Sequence, residues 1–237
     1  MKQRRRSLIL TLVVVLGVAL LWLSLRPREP DLGAGPTFNG KTVTAWIDSI
    51  WSANSEDPAI TNLIAIGSPA VPYLIRAVEW NPSGLDRLGG VAWRHTGWLA
   101  RRLDLPHPEV TRSRENRKRR VMYVLACLGP LAKDALPALR EVGRDSDWNN
   151  RTFAFSAIAS IGPEEKDIPL LIRALADKQR NVRIQAARGL GNLGLPSKDA
   201  IGALRNSLHD EDEGVRKFVS EALMKINRKA TETPGAK

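Results

Sequence analysis

The residue types that most often carry chemistry are sparse in this chain of 237 residues and do not form a recognisable reactive group. The three histidines, His95, His107 and His209, lack a metal-binding spacing, and neither His-Glu-x-x-His nor Cys-x-x-Cys occurs. There is no Gly-x-Ser-x-Gly elbow or P-loop, and Gly189-Leu190-Gly191 is assigned to a helix rather than to a dinucleotide fingerprint. We therefore predict no catalytic residue, no metal site and no cofactor, and expect that the protein is not an enzyme.

Binding chemistry is concentrated in one stretch, where eight cations between Arg101 and Arg120 stand against three carboxylates, just after Trp93 and Trp98. Such a cluster can bind acidic proteins, phosphate-bearing ligands or anionic lipid headgroups. Tryptophan and arginine often carry most of the energy of an interface. The alternatives are a solvated loop for the cations and core filling for the tryptophans. The candidate partner-binding residues are Trp93, Trp98, Arg101, Arg102, Arg117, Arg119 and Arg120.

The elements that position these residues are repeats with a period of 32 or 33 residues. Landmark glycines recur in register, and a cation stands eleven residues before each landmark. Self-similarity at this period signals stacked supersecondary units that bury their apolar faces against their neighbours. The landmarks are Gly129, Gly162, Gly194 and, in the equivalent last position, Asn227; the cations are Lys118, Arg151, Arg183 and Arg216; a second arginine series is Arg76, Arg140, Arg173 and Arg205.

Each repeat is predicted to contain two helices. Apolar or small residues three, seven, eight and ten positions after the first cation form one helical stripe, and the glycine ends that helix. A second apolar helix follows, and Asp147, Asp177 and Asp210 close the units, where an acidic residue can cap the next helix. We expect the recurring arginines to pair between repeats rather than to form a binding ladder. The single cysteine, Cys127, falls in an apolar helix and is predicted to be core.

These units resemble HEAT repeats, especially the short bacterial kind called phycobilisome-lyase-type, with the signature D-x-x-x-V-R-x-x-A-A-x-A-L-x-x-L-G. The segments that carry the resemblance are 177–194 and 210–227. The resemblance implies an all-α fold, a right-handed α-α superhelix of HEAT type. A Gly-Lys pair followed by a tryptophan-containing helix, within 38–51, resembles the start of membrane-anchored HEAT proteins of planctomycete and verrucomicrobial type. That segment is predicted to cap the solenoid, with Thr42 or Thr44 as the N-cap of its helix.

The N-terminus predicts one transmembrane helix. Residues 1–6 contain four cations, and the 18 residues from Leu8 to Leu25 contain no charge. At ~1.5 Å per residue they span ~27 Å, close to the ~30 Å hydrocarbon core of a bilayer. We favour an uncleaved anchor at 7–25 over the alternative of a cleaved signal peptide. The cations should stay cytoplasmic, which predicts a single-pass protein of the bacterial inner membrane with a periplasmic or extracytoplasmic C-terminal domain.

The predicted order after the anchor is a linker at 26–37, a solenoid at 38–227 with an irregular insertion at 81–117, and a tail at 228–237. Insertions in solenoids often emerge on the binding face. We predict a membrane-anchored scaffold that binds a protein partner or an envelope polymer through its concave face and this insertion. The basic cluster also permits anionic lipid contact, whereas the anchor makes nucleic acid an improbable ligand. The alternative is a HEAT-like enzyme, such as a DNA glycosylase or a bilin-lyase relative.

Overall fold

The computed structural model describes residues 33, 35–50, 57–79, 109–194 and 198–232, without the side chains of 109–115 and 198. Of these, residues 109–116 belong to one compact unit and all others to a second. The secondary structure is mostly helical. The ten α-helices of the described residues are α1 (Val43–Asp48), α2 (Pro58–Ile66), α3 (Val71–Glu79), α4 (Glu109–Leu128), α5 (Leu136–Val142), α6 (Trp148–Ile161), α7 (Ile168–Ala174), α8 (Arg180–Leu193), α9 (Lys198–Ser207) and α10 (Glu213–Glu232), with 3₁₀ segments at Ser68–Ala70, Gly129–Ala135 and Glu165–Asp167.

A short hairpin precedes α1 and differs from the all-helical prediction. Strands β1 (Thr37–Phe38) and β2 (Lys41–Thr42) pair antiparallel, with Thr37 opposite Thr42. Asn39 and Gly40 both have positive φ, and an Asn-Gly pair is the preferred turn of a two-residue hairpin. The hairpin delivers Thr42 to the start of α1, where its side chain accepts a hydrogen bond from the Ala45 amide at 3.2 Å. The predicted cap at Thr42 is therefore confirmed.

The repeats form two sets of helices. In the first set, α8 contacts both α6 and α10; in the second set, α3 contacts α5 and α7 contacts α9. The predicted apolar stripe is buried in α6 at Ala154 and Ile158 and in α8 at Ala186 and Leu190. This burial follows from the 3.6-residue period, which places these side chains on the face that meets the neighbouring helices.

The landmark glycines end their helices as predicted. Gly129, Gly162 and Gly194 have φ values of 56°, 101° and 67°, a region that residues with a Cβ rarely adopt. Asn227 occupies the equivalent position but does not end α10, which continues to Glu232. The last helix is longer than α6 and α8, since no glycine stops it after the apolar stripe.

Two further glycines allow close packing inside α8. A Cβ on Gly191 would lie 2.8 Å from the Ala222 Cα, and one on Gly189 would lie 2.9 Å from the Leu171 Cδ2. The absent side chains let α10 and α7 approach α8 closely. The assignment of these glycines to a repeat helix is confirmed, and their role is packing rather than phosphate binding.

The prediction that Cys127 is core is wrong, because its side chain is exposed. The buried face of α4 carries Val121, Val124 and Leu125, and Cys127 falls on another face. It lies one turn after Tyr123, and a hydrogen bond with Cys127 raises the pKa of the Tyr123 hydroxyl. An apolar-looking sequence position was therefore assigned to the wrong side of the helix.

Two stretches of the described residues have the length and composition of a membrane-spanning segment. The helical run Asn116–Val142 is long and apolar enough to cross a bilayer. The helices Pro58–Ile66 and Ser68–Glu79 are long and apolar enough only when taken together, and they are bent by 106° at the break between them. In the run Asn116–Val142, 56% of the most apolar 18-residue stretch is buried inside the protein, as in the core helix of a folded domain. The predicted anchor at 7–25 lies outside the described residues.

Candidate binding surface

The predicted partner-binding residues divide into two groups. Trp93, Trp98, Arg101 and Arg102 lie outside the described residues, as does the insertion up to residue 108. Arg117, Arg119 and Arg120 are described, and all three lie near the middle of α4. Their proposed role in partner binding stays a prediction, but their contacts inside the protein can be stated.

Arg117 and Arg120 connect α4 with the end of α1. The Arg117 Nη1 donates to the Asp48 Oδ1 at 2.7 Å, and the Arg120 Nη1 donates to the Ile50 carbonyl at 3.2 Å. Asp48 is 65% exposed, so the ion pair is largely screened by solvent. The two arginines attach the N-terminal helix to the repeats.

Arg119 connects α4 with the start of the next repeat. Its guanidinium forms an ion pair with Asp147, and its Nε donates to the Asn150 Oδ1 at 3.1 Å. Lys118, the residue before Arg119, is the cation that stands eleven residues before Gly129. The structure uses the following residue for the contact with Asp147.

The arginines that recur before the landmark glycines clamp successive turns together. The Arg151 Nη1 donates to the carbonyls of Asp145 and Ser146 at 2.9 and 3.0 Å, which closes its own turn. Its Nε and Nη2 donate to both carboxylate oxygens of Asp177 in the following turn, at 2.8 and 2.9 Å. Two parallel bonds from one guanidinium fix geometry as well as distance.

The same arrangement recurs one repeat later. The Arg183 Nη1 donates to the Asp177 and Lys178 carbonyls at 3.0 and 3.3 Å, and its Nη2 donates to the Asp210 Oδ1 at 2.8 Å. Arg216 closes the last of these turns through the Asp210 carbonyl at 2.7 Å. The predicted pairing of these arginines between repeats is confirmed for Arg151 and Arg183.

The predicted capping role is confirmed for Asp147 and is wrong for Asp177, since Gln179 is the N-cap of α8. Asp145, Asp177 and Asp210 each stand six residues before an arginine of the series, and each accepts the amide two residues on. Asp147 instead is the N-cap of α6 and accepts the Asn149 amide at 2.8 Å. The spacing Asp-x₅-Arg was present in the sequence and would have identified Asp145 as the equivalent residue.

The arginine–aspartate pairs between turns are largely shielded from solvent, which fits a role in holding the repeats together. The Arg183 and Asp210 side chains are 8% and 10% exposed. The hydrogen bond to Asp210 raises the pKa of Arg183 despite the opposing effect of burial. Burial would raise the pKa of Asp177, but the hydrogen bonds from Arg151 and from the Gln179 amide outweigh it and lower that pKa. Both shifts favour the charged forms of Arg183 and Asp177, which act by holding the turns in position.

The second arginine series splits into buried and exposed members. The Arg140 Nη2 donates to the Glu164 Oε2 at 2.7 Å, and its guanidinium also pairs with the fully buried Asp167. The hydrogen bond with Asp167 raises the pKa of Arg140. Arg173 is exposed and makes no ion pair or hydrogen bond with any described residue, and the same holds for Arg76 and Arg205.

The difference between Arg140 and Arg173 comes from register. Arg140 lies four residues after the start of α5, whereas Arg173 lies five residues after the start of α7. One residue turns a side chain by about 100° around a helix of 3.6 residues per turn. Arg140 therefore points towards the next repeat, and Arg173 points towards solvent.

A groove of 530 Å³ lies beside Arg173, and we call it the inter-repeat groove. It runs between the turn at 143–145 and the turn at 176–178 and is bordered by α6 and α7. Its apolar wall is formed by Phe155, Leu170 and Ala174, all buried. Its cations are Arg144, Arg151, Arg173 and Lys178, and its carboxylates are Asp145 and Asp177.

Across the described residues, no group of three or more histidine, cysteine, aspartate or glutamate side chains could hold a metal ion. The acidic residues of the turns are engaged by arginines and backbone amides instead.

Comparison with known proteins identifies the repeats. Residues 168–235 match the family model described as HEAT repeats. No curated protein matches the sequence. Among solved structures, an engineered protein is 19% identical over 78% of this chain and 96% of its own, with a TM-score of 0.42. A second engineered protein is 19% identical over 78% of this chain and 47% of its own, at a TM-score of 0.43.

A designed armadillo repeat protein in complex with the peptide (KR)4 is 16% identical over 78% of this chain and 91% of its own, with a TM-score of 0.43. TM-scores below 0.5 add nothing to the fold, which rests on the helix pairs and on the family match. Stacked repeats present a continuous surface suited to protein–protein binding in general. Residues 168–235 are therefore similar to HEAT repeats, and the periodic glycines and arginine clamps continue the same all-α repeat pattern into the described residues before them.

Proposed function

We propose that the protein is a membrane-anchored HEAT-repeat scaffold that binds a protein partner through its concave face and through the insertion at 81–117. The observation that carries the proposal is the pair of arginine clamps, Arg151 with Asp177 and Arg183 with Asp210, which hold successive turns in fixed positions. A preorganised surface loses little freedom when it binds, so more of the contact energy appears as affinity. The exposed Arg173 beside the inter-repeat groove supplies such a surface with a cation that the fold does not use.

The anchor is the first testable part of the proposal. The charge pattern of residues 1–25 supports an uncleaved helix at 7–25 in the bacterial inner membrane, with the repeats on the extracytoplasmic side. We expect the full chain to stay in the membrane pellet after an alkaline carbonate wash. Protease added to spheroplasts should digest the repeats. Release of the chain by carbonate, a mature mass that lacks residues 1–25, or protection from protease would contradict this assignment.

Partner binding is the second testable part. Arg117, Arg119 and Arg120 are poor test positions, because they connect α4 to its neighbours. We therefore choose the double variants Trp93→Ala/Trp98→Ala and Arg101→Glu/Arg102→Glu. Each should reduce by about tenfold or more the partner recovered after crosslinking in intact cells, since hot-spot truncations cost ~2 kcal/mol or more.

The matched control is Trp148→Ala, because Trp148 is a 38% exposed tryptophan at the start of α6, outside the insertion. Its variant should recover the partner normally, and far-ultraviolet circular dichroism should show unchanged helicity in all variants. Equal loss in the control, or crosslinks to nucleic acid alone, would count against a specific protein partner at the insertion.

A further inference from the structure

We propose that the inter-repeat groove binds an acidic segment of a protein partner, in which a carboxylate side chain stands next to an apolar one. The inference rests on the proposed scaffold function and specifies the chemistry of the partner. It is carried by three features of the groove: cations without a partner among the described residues, an apolar wall, and a frame fixed by the partly buried ion pair of Arg151 and Asp177.

The unused cations lie on the rim. Arg173 and Lys178 are exposed and form no ion pair or hydrogen bond with any residue that the structure describes. Arg144 pairs only with Glu141, and both side chains are largely exposed, at 51% and 74%. Such an exposed pair contributes little to stability, so an incoming carboxylate can replace Glu141 at little cost.

The remaining charges in the groove, Arg151, Asp145 and Asp177, leave no positive excess. Arg151 and Asp177 form a bidentate pair, and the Asp145 carboxylate accepts hydrogen bonds from the Asp147 amide and the Asn150 side chain. The excess positive charge therefore belongs to the rim cations. Its position matches an anionic group that lies over the apolar wall rather than one inserted into the ion pair.

The following repeat shows that stacking does not require the rim lysine, Lys178. Arg183 and Asp210 occupy the positions of Arg151 and Asp177, so the clamp recurs. The residue after the aspartate changes from Lys178 to Glu211, and this reverses the charge at that position of the rim.

The apolar wall also changes, whereas the second rim cation recurs. Counted from the clamp arginines, Phe155 is replaced by Ala187. Counted in the same way, Arg173 corresponds to Arg205, which is also exposed. A feature needed for stacking would recur in both repeats, whereas a rim lysine together with a phenylalanine in the wall occurs in only one of these two.

The composition of the groove favours a polypeptide over a polyphosphate. Nucleic acids and anionic membranes gain affinity from many phosphate contacts to cations. Here Asp145 and Asp177 line the same groove and would repel a row of phosphates. A short segment with one or two carboxylates and an apolar side chain uses both the rim cations and the wall of Phe155, Leu170 and Ala174.

The frame of the groove is fixed before the partner arrives. The bonds from Arg151 to Asp177, at 2.8 and 2.9 Å, join the two turns that border it. Gly143 lets the Phe155 ring approach the first turn, since a Cβ there would lie 3.2 Å from the Phe155 Cζ. The ordering cost of binding therefore falls mainly on the partner segment.

The test measures fluorescence anisotropy of the full chain in detergent with labelled peptides in which glutamate alternates with leucine. We expect saturable binding that weakens as salt is raised. Replacing the glutamates by glutamine should weaken binding about tenfold or more, the result of losing ~1.4 kcal/mol of charge interaction. Arg173→Glu and Lys178→Glu should each weaken the glutamate peptide similarly, and the double variant should bind a lysine–leucine peptide in its place.

The matched control is Arg188→Glu, because Arg188 is an exposed arginine of α8 outside the groove whose side chain bonds only Gln185 among the described residues. Equal weakening in this control, no saturable binding of the glutamate peptide, or preference for phosphatidylglycerol vesicles over that peptide would overturn the inference. If the groove does not bind the glutamate peptide while in-cell crosslinking still depends on Trp93 and Trp98, the proposed scaffold function stands without this binding site. If the groove binds the peptide but no partner is crosslinked in cells, the proposed function fails instead.

Discussion

Replacing Arg140 by alanine is expected to lower the free energy of unfolding by about 3–5 kcal/mol, because it leaves a buried carboxylate without its counter-charge. The Asp167 side chain is 0% exposed and accepts from Arg140 and from the Glu164 amide at 2.7 Å. Without the guanidinium, the buried Asp167 carboxylate keeps, of these two contacts, only the hydrogen bond from the Glu164 amide. Urea unfolding followed by circular dichroism measures the loss.

The matched control for this prediction is Arg144→Ala, four residues further along. Arg144 and its partner Glu141 are 51% and 74% exposed, so its removal should cost only ~0–1 kcal/mol. The double replacement Arg140→Leu with Asp167→Leu should recover much of the stability, because it removes both charges together. If Arg140→Ala and Arg144→Ala had equal effects, the buried pair would not stabilise the fold as described.

The second large effect is expected for Arg183→Ala, at about 3 kcal/mol, because one side chain joins two turns. The substitution removes the ion pair with Asp210 and the hydrogen bonds to the Asp177 and Lys178 carbonyls. Faster amide hydrogen exchange should appear at the start of α10, next to the released Asp210. Urea unfolding gives the energy, and exchange measured residue by residue gives the location.

Arg180→Ala provides the comparison, since Arg180 starts the same helix and pairs with Asp212 at 3.2 Å but is 67% exposed. Its loss should be ~0–1 kcal/mol. A double-mutant cycle of Arg183→Ala with Asp210→Ala should give a clear coupling energy, since the two residues touch. Additive effects in that cycle would show that the clamp contributes no pairwise stabilisation.

The helical repeats were predictable from the sequence for two reasons. Buried residues recur with the period of the helix, and the turns that end the helices need glycine at positive φ. Gly162 and Gly194 marked helix ends, and the stripe of Ala154 and Ile158 marked the buried face. The hairpin was missed although Asn39-Gly40, its turn, carries a strong hairpin signal. Cys127 was misplaced, because its apolar sequence neighbours were taken to share its face of the helix.

The candidate site was less predictable, since it joins residues from different repeats. Arg140 and Arg173 looked equivalent in sequence, yet the first is only 15% exposed and pairs with Asp167, whereas the second is exposed. Phe155 of α6 and Arg173 of α7 line the same inter-repeat groove, and no local spacing in the sequence reveals this. The sequence-predicted residues Trp93 and Trp98 lie outside the described residues, and their role stays a prediction.

The arginine clamps have a consequence for how the array unfolds. Because Arg183 binds the backbone of one turn and the carboxylate of the next, neither turn can open without releasing the other. Arg151 links the preceding turn to the same chain of contacts. In the language of a one-dimensional array, the clamps raise the nearest-neighbour term relative to the intrinsic stability of each repeat. Residues 145–216 should therefore melt as one cooperative block instead of fraying repeat by repeat.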